Sequence, residues 1–209
     1  MNSLKNDLKY IPYFLSHPIN GFWEIKKEKK GSLLTAILIF VSYLLVMIAS
    51  AFFTATLFNK NDVFQINIWK IIFPIILLFL LWCVSSWSLT SLFDGEGNFQ
   101  DIFIATAYAL IPILITELAL IFISHGIVLE EAAFYDLLRG IGIVWTGFLL
   151  FMGMIVTHQY TFLKSILISL FSILGICIII YVGLLFINLL QQMTGFGVGL
   201  YTEWSLRHQ

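Results

Sequence analysis

Two places in the sequence hold residues whose type and setting ask for a chemical explanation. Glu117 is the only carboxylate well inside a long apolar run. An ionised carboxylate at mid-bilayer costs roughly 3 kcal/mol on insertion scales, so it is expected to face a bundle interior, paired or protonated. It follows Pro112 by five residues, and a proline inside a span removes one backbone donor and bends the helix. Glu117 is therefore a candidate intramembrane polar or proton-responsive site. The structural alternative, which takes precedence, is a buried glutamate bonded to Ser or Thr of a neighbouring helix. The second place is FDGEGNFQD, Phe93 to Asp101, with three carboxylates, two glycines and no Lys or Arg. It predicts a tight turn with a glycine at φ > 0, followed by Asn98 or Asp101 capping the next helix. Asp94, Gly95, Glu96 and Gly97 also form a candidate docking turn for a basic partner surface.

Other reactive side chains are less well placed. His125, Glu130, Glu131 and Asp136 have the oxygen-rich character of a divalent cation site, but their spacing follows no defined loop such as an EF-hand. They are expected to form a solvated acidic loop. Cys83 and Cys177 fall inside apolar runs, where a thiol behaves as a small hydrophobe. GFGVG, Gly195 to Gly199, follows a hydrophobic helix rather than a strand, which predicts a flexible exit from the last span, not a phosphate loop. His17, His125, His158 and His208 lie in four separate segments. The sequence thus predicts no catalytic residue, no cofactor and no metal. A formal net charge of −1 supplies no basic field for nucleic acid.

The elements that must position these residues are membrane spans. Sixty per cent of the 209 residues are hydrophobic and 11% charged, against roughly a quarter charged in soluble domains. The apolar residues gather into runs near the ~20 residues that cross ~30 Å of hydrocarbon. Five runs qualify: Leu33 to Phe58, Lys70 to Leu92, Ile102 to Ser124, Gly140 to Thr157 and Ser165 to Leu190. The expected fold is all-α, a polytopic bundle of five transmembrane helices in a lipid bilayer. Residues 1–32 form a cytoplasmic aromatic and basic tail, 33–190 the membrane domain, and 191–209 a short extracytoplasmic tail. The first run is too long, and too far from the start, for a cleavable signal peptide.

Lys/Arg asymmetry sets the expected orientation in the plasma membrane. With the amino terminus in the cytoplasm, inner segments hold Lys5, Lys9, Lys26, Lys27, Lys29, Lys30 and Lys164, and outer segments hold Lys60, Lys70, Arg139 and Arg207. Lys70 and Arg139 are exceptions to that bias, as the acidic inner turn is. Tyr10, Tyr13, Phe14, Phe22 and Trp23 among the first lysines predict a collar lying on the membrane surface, broken by Pro12 and Pro18. Small residues offer close-packing faces: Ala105 and Ala109, the glycines 140, 147 and 153, and the serines 165, 169 and 172. Some must pack within the bundle, and at least one face is expected to bind another integral membrane protein.

The stretch WSLTSLFDGEGNFQDIFIATAYALIP, Trp87 to Pro112, resembles the YIP family of membrane proteins, the Ypt-interacting proteins. Its marks are a polar and aromatic helix end, the turn on Gly95, Glu96 and Gly97, and a span that opens at Asp101 and leads to Tyr108 and Pro112. HPINGFWEIKKEKKGS before the first span is similar to the Gram-positive members, and THQYTFLKSI to the family's short inner loop. The similarity covers nearly the whole chain. Ser86 departs from it, standing where an asparagine is expected in bacterial relatives. The resemblance implies five spans and a cytoplasmic amino terminus. Eukaryotic members carry a long amino-terminal domain and are linked to small GTPases; bacterial relatives stand beside carbohydrate ABC importers. It therefore implies an accessory role with ABC importer subunits as partners. Since the spans, Glu117 and Pro112 apart, offer mostly Ser, Thr, Gly and Cys as a polar lining and no catalytic arrangement, the expected function is a non-catalytic adaptor, scaffold or accessory subunit. A small solute transporter or channel is the rival reading. EEAAFYDLLRG is similar to a loop of ABC permeases, but Leu137 replaces its glycine and the downstream Leu-Pro is missing, which marks a chance match.

Overall fold

The computed structural model describes residues 10–59, 66–90 and 92–207, without the side chains of Leu200, Thr202 and Ser205. Residues 10–16 are helical, followed by α1 (Pro18–Lys27), α2 (Leu33–Phe53), α3 (Ile68–Thr90), α4 (Phe99–Ala109), α5 (Ile111–Ile123), α6 (Ala132–His158) and α7 (Phe162–Arg207). No strand occurs among the described residues. Counting α4 and α5 as one broken span, five helices are long and apolar enough to cross a membrane. Three of the expected basic residues, Lys5, Lys9 and Lys60, lie outside the described residues.

Each span buries a narrow stripe set by helical periodicity. Thr35, Ala36, Ile39 and Tyr43 are the buried face of α2, and Phe79, Cys83, Ser86 and Thr90 that of α3, at the spacing that returns to one side of an α-helix. Ser32 starts α2, its Oγ accepting from Thr35 N at 3.2 Å. The α4–α5 span is central: half of its apolar window is buried, against 11% for that of α7. Its run of small residues, Ala105, Ala107 and Ala109, lets α2 and α6 approach closely.

The third span bends where proline predicts. Leu110, at φ −78° and ψ −7°, is a one-residue turn between α4 and α5, its N–H bonding Ala107 O at 3.2 Å, and Pro112 then sits in the first turn of α5. The first span ends at Phe53 rather than Phe58, because Thr54 swings to ψ 137° and the Asn59 amide folds back onto Ala51 O at 2.7 Å.

Three expectations need correction. The amino-terminal collar is folded into the protein: Phe14 and Phe22 are 0% and 1% exposed, meet edge to face, and Phe14 does the same with Tyr108 of α4. Pro18 starts α1 instead of breaking a helix, and outward-facing rings remain at Tyr13 and Trp23. The fourth span begins at Ala132, eight residues before Gly140, so Tyr135, Asp136 and Arg139 are helical. The glycine exit is helical rather than flexible: α7 continues for 46 residues, through Gly195, Gly197 and Gly199, to Arg207. Glycine in a helix costs only about 1 kcal/mol and forms no stop by itself, and no glycine here takes positive φ. No proline follows Pro112 to end the helix.

Candidate functional sites at the two ends of the bundle

At the end of the bundle beside α1, the acidic turn is clamped between three segments. Asp94 is its left-handed residue, at φ 51°; a glycine was expected in that role. The glycines serve another purpose, which is space for the buried His158. A Cβ on Gly97 would stand 2.7 Å from His158 Cε1, and one on Gly95 would stand 2.8 Å from Thr90 Cγ2 and 2.9 Å from His158 Nδ1. Those distances are below any carbon contact seen in folded proteins. Asn98 opens α4 with Asp101 reaching back to accept from its N–H at 3.2 Å, which supplies the predicted cap and sets a carboxylate against the helix dipole.

The His158 side of the clamp comes from the end of α6. Gln159 closes that helix in left-handed geometry at φ 56°, which turns the chain and lays Tyr160 flat against His158, ring centroids 5.1 Å apart. Lys164 Nζ donates to Phe93 O and sits 4.6 Å over the Tyr160 ring. Lys26 Nζ donates to Thr157 O and lies 3.8 Å from Glu96. A cation on the last carbonyls of α6 also meets the negative end of its dipole. Burial holds the Lys26 ammonium below its usual range, opposed by Glu96 and Asp101, and burial followed by Asp94 raises the Tyr160 phenol. Phe93, Gly95 and Gly97 point inward or sit half-buried, whereas Asp94, Glu96 and Asn98 are exposed. The outcome is an acidic ridge on a fixed mount.

Ser86 faces a small cavity of about 20 Å³ shared with Thr157 and His158, and its buried Oγ has no hydrogen-bond partner among the described residues. The departure from asparagine therefore falls beside the histidine that supports the turn.

At the opposite end, Glu117 is 2% exposed and its Oε1 accepts from Arg139 Nε at 2.7 Å, while Ser50 Oγ donates to Oε2 at 3.4 Å. The serine bond matches the structural expectation for Glu117. Arg139 was missed, because it was assigned to a loop. The signal lay in periodicity: Tyr135, Gly142, Thr146 and Leu149 are buried on α6, and Arg139 falls on the same stripe, one turn after Tyr135. An arginine two turns inside a span is tolerable once neutralised by an interior carboxylate, which also removes it as evidence on orientation.

The acidic loop does not converge. His125 Nδ1 lies 2.9 Å from Ile121 O, Glu131 accepts from Val128 N, and Asp136 is carried onto α6; no group of three metal-ligating side chains meets among the described residues. Of the small-residue faces, Ala105, Ala109 and Gly153 are used inside the bundle, and Ser165 and Ser172 are buried on α7. Ser85 of α3 donates to Ser172 O at 2.7 Å. Gly140 and Gly147 face open space.

Comparison with known families returns a match to the Yip1 domain over residues 13–201. No curated protein matches the chain, and no solved structure does.

Proposed function

Since the chain belongs to the Yip1 domain family, we propose that it is a non-catalytic integral membrane adaptor whose acidic turn docks a basic surface of another membrane complex. The observation that carries this reading is the alternation in the turn: Asp94 and Glu96 are exposed, Glu96 with Lys26 3.8 Å away, while Gly95 and Gly97 sit against His158 and Lys164 holds Phe93 O. A rigid ridge loses little entropy on binding, and its charge steers a complementary partner. The family resemblance directs attention to the subunits of a carbohydrate ABC importer in a bacterial plasma membrane, with the amino terminus and the turn on the cytoplasmic side.

The test is purification of the tagged chain from native membranes in mild detergent, beside the Asp94→Asn/Glu96→Gln variant. A stoichiometric companion retained by the parent and lost by the variant is the expected result. A monomeric preparation that moves a solute when reconstituted alone would overturn the adaptor. Two observations favour that rival transporter: ionisable groups face each other on two spans at Glu117 and Arg139, and the third span is broken at Leu110, both features of transport pathways.

A further inference from the structure

Beside the Glu117–Arg139 pair lies a cavity of about 360 Å³ between α2, α3 and α6. Its wall has two characters. Met47, Ile71 and Ile75 make it apolar, and its charged residues among those described are Lys70 and Arg139, both cations. Glu117 does not line it, so Arg139 is balanced from behind while Lys70, exposed and without an ion pair among the described residues, is not. The Arg139–Glu117 bond uses Nε, and the terminal nitrogens carry further N–H donors. Pro74, also on the wall, has no N–H to offer the Lys70 carbonyl one turn before it, which leaves a backbone acceptor near the same cation.

Depth fits the same picture. Lys70 is in the first turn of α3, one residue after Trp69, which is 75% exposed; tryptophan prefers the headgroup zone. The mouth of the cavity is therefore at headgroup level with an apolar wall below it. A soluble anion has no use for that wall, and a neutral lipid none for two cations. The geometry points to a binding site for an anionic glycerophospholipid, its phosphate held by Lys70 and Arg139, a headgroup hydroxyl on the Lys70 carbonyl, and its upper acyl segment against Ile71 and Ile75. Arginine grips phosphate oxygens as a planar fork and lysine as a point charge.

The test uses the full chain in nanodiscs of phosphatidylcholine doped with phosphatidylglycerol, released into mild detergent, with retained lipid counted by native mass spectrometry. One phosphatidylglycerol per chain should persist after phosphatidylcholine has washed away. Lys70→Gln should weaken retention about five-fold, the value of roughly 1 kcal/mol for one lysine at an anionic headgroup, and Lys70→Arg should restore it. Arg139→Gln strands Glu117 and can fail to fold, so Glu117→Gln/Arg139→Gln serves in its place and should weaken retention further. Equal retention of the two lipids, or retention unmoved by Lys70→Gln, overturns the site. Glycerol 3-phosphate or inorganic phosphate binding as tightly as the lipid would assign the cations to a soluble phosphate ester and overturn the lipid.

Discussion

At the scale of single residues, the acidic turn separates two demands that the sequence merges. FDGEGNFQD reads as a turn needing glycine for positive φ, yet the left-handed position is Asp94, and Gly95 and Gly97 are small because His158, Thr90 and Tyr160 fill the space beside them. Aspartate tolerates left-handed geometry through its short polar side chain. Two opposite outcomes follow. Gly97→Ala should destabilise the protein by about 1–3 kcal/mol, the usual cost of overpacking, seen as a lower melting temperature in detergent; Asp94→Gly should leave it unchanged or raise it. Gly97→Ala with no effect would show that His158 is free to move. Ser86→Asn should raise the melting temperature, because the longer amide fills the cavity beside His158 and reaches a polar neighbour; a decrease would mean the cavity walls do not yield to an amide.

The ion pair belongs to this scale too. Glu117 was legible as a buried group needing partners, since bilayer physics leaves an interior carboxylate few options. Arg139 was hidden because charge pulled the helix boundary inward to Gly140, and helical phase was outweighed by polarity. Arg139→Leu should cost about 3–5 kcal/mol by leaving Glu117 uncompensated, and Glu117→Leu/Arg139→Leu should recover most of it. A double variant that loses as much as Arg139→Leu and Glu117→Leu added together, by thermal unfolding in detergent, would show that the pair is not coupled.

At the scale of elements, the amino-terminal segment changes most between expectation and structure. Its aromatics satisfy a surface-lying collar and an inward-facing wedge equally well in sequence, since both want apolar rings beside lysines. Partner shape decides between them: Gly153 leaves room on α6, so that a Cβ there would stand 3.1 Å from two Phe22 ring carbons. Gly153→Leu should expel Phe22, free the helical pair and speed tryptic cleavage between Lys26 and Lys30 at least about ten-fold, in line with an overpacking cost above 1.4 kcal/mol. Gly147→Leu, at a position where a Cβ meets nothing within 4 Å, should cleave like the parent. Equal rates for both variants would place Phe22 elsewhere in the membrane-embedded state. The proline bend was legible because a missing N–H is a local property of the sequence, whereas the docking of a short helix is not.

At the scale of the whole molecule, the five-span reading comes from hydropathy and survives in the structure, because a backbone in hydrocarbon has almost no other way to satisfy its polar groups. The lysine block before α2 predicts a cytoplasmic amino terminus, so a cytoplasm-dependent reporter should function when fused at Asn2 and fail when fused after Gln209. Activity at both ends would mean that one of the five apolar helices does not cross. The length of α7 was not legible, since the glycines near its end look like a stop. Its apolar stretch Phe162–Gly199 has 38 residues, about 57 Å at about 1.5 Å per residue. Fitting that within roughly 30 Å of hydrocarbon would demand a tilt near 60°, beyond the roughly 40° that spans adopt. Part of it must therefore stand clear of the hydrocarbon.

A helix that is gripped at one end and unsupported at the other is a lever. α7 packs on α3 near its start, where Ile168 is buried beside Trp82 and Leu89 and Ser85 bonds Ser172 O, and its residues from Cys177 onward, where described, are exposed. From Ser172 to Arg207 the helix runs about 53 Å at about 1.5 Å per residue, so each degree of rotation at the serine contacts carries Arg207 through roughly 0.9 Å. Displacements too small to register among the packed spans are thereby magnified at the carboxyl-terminal end.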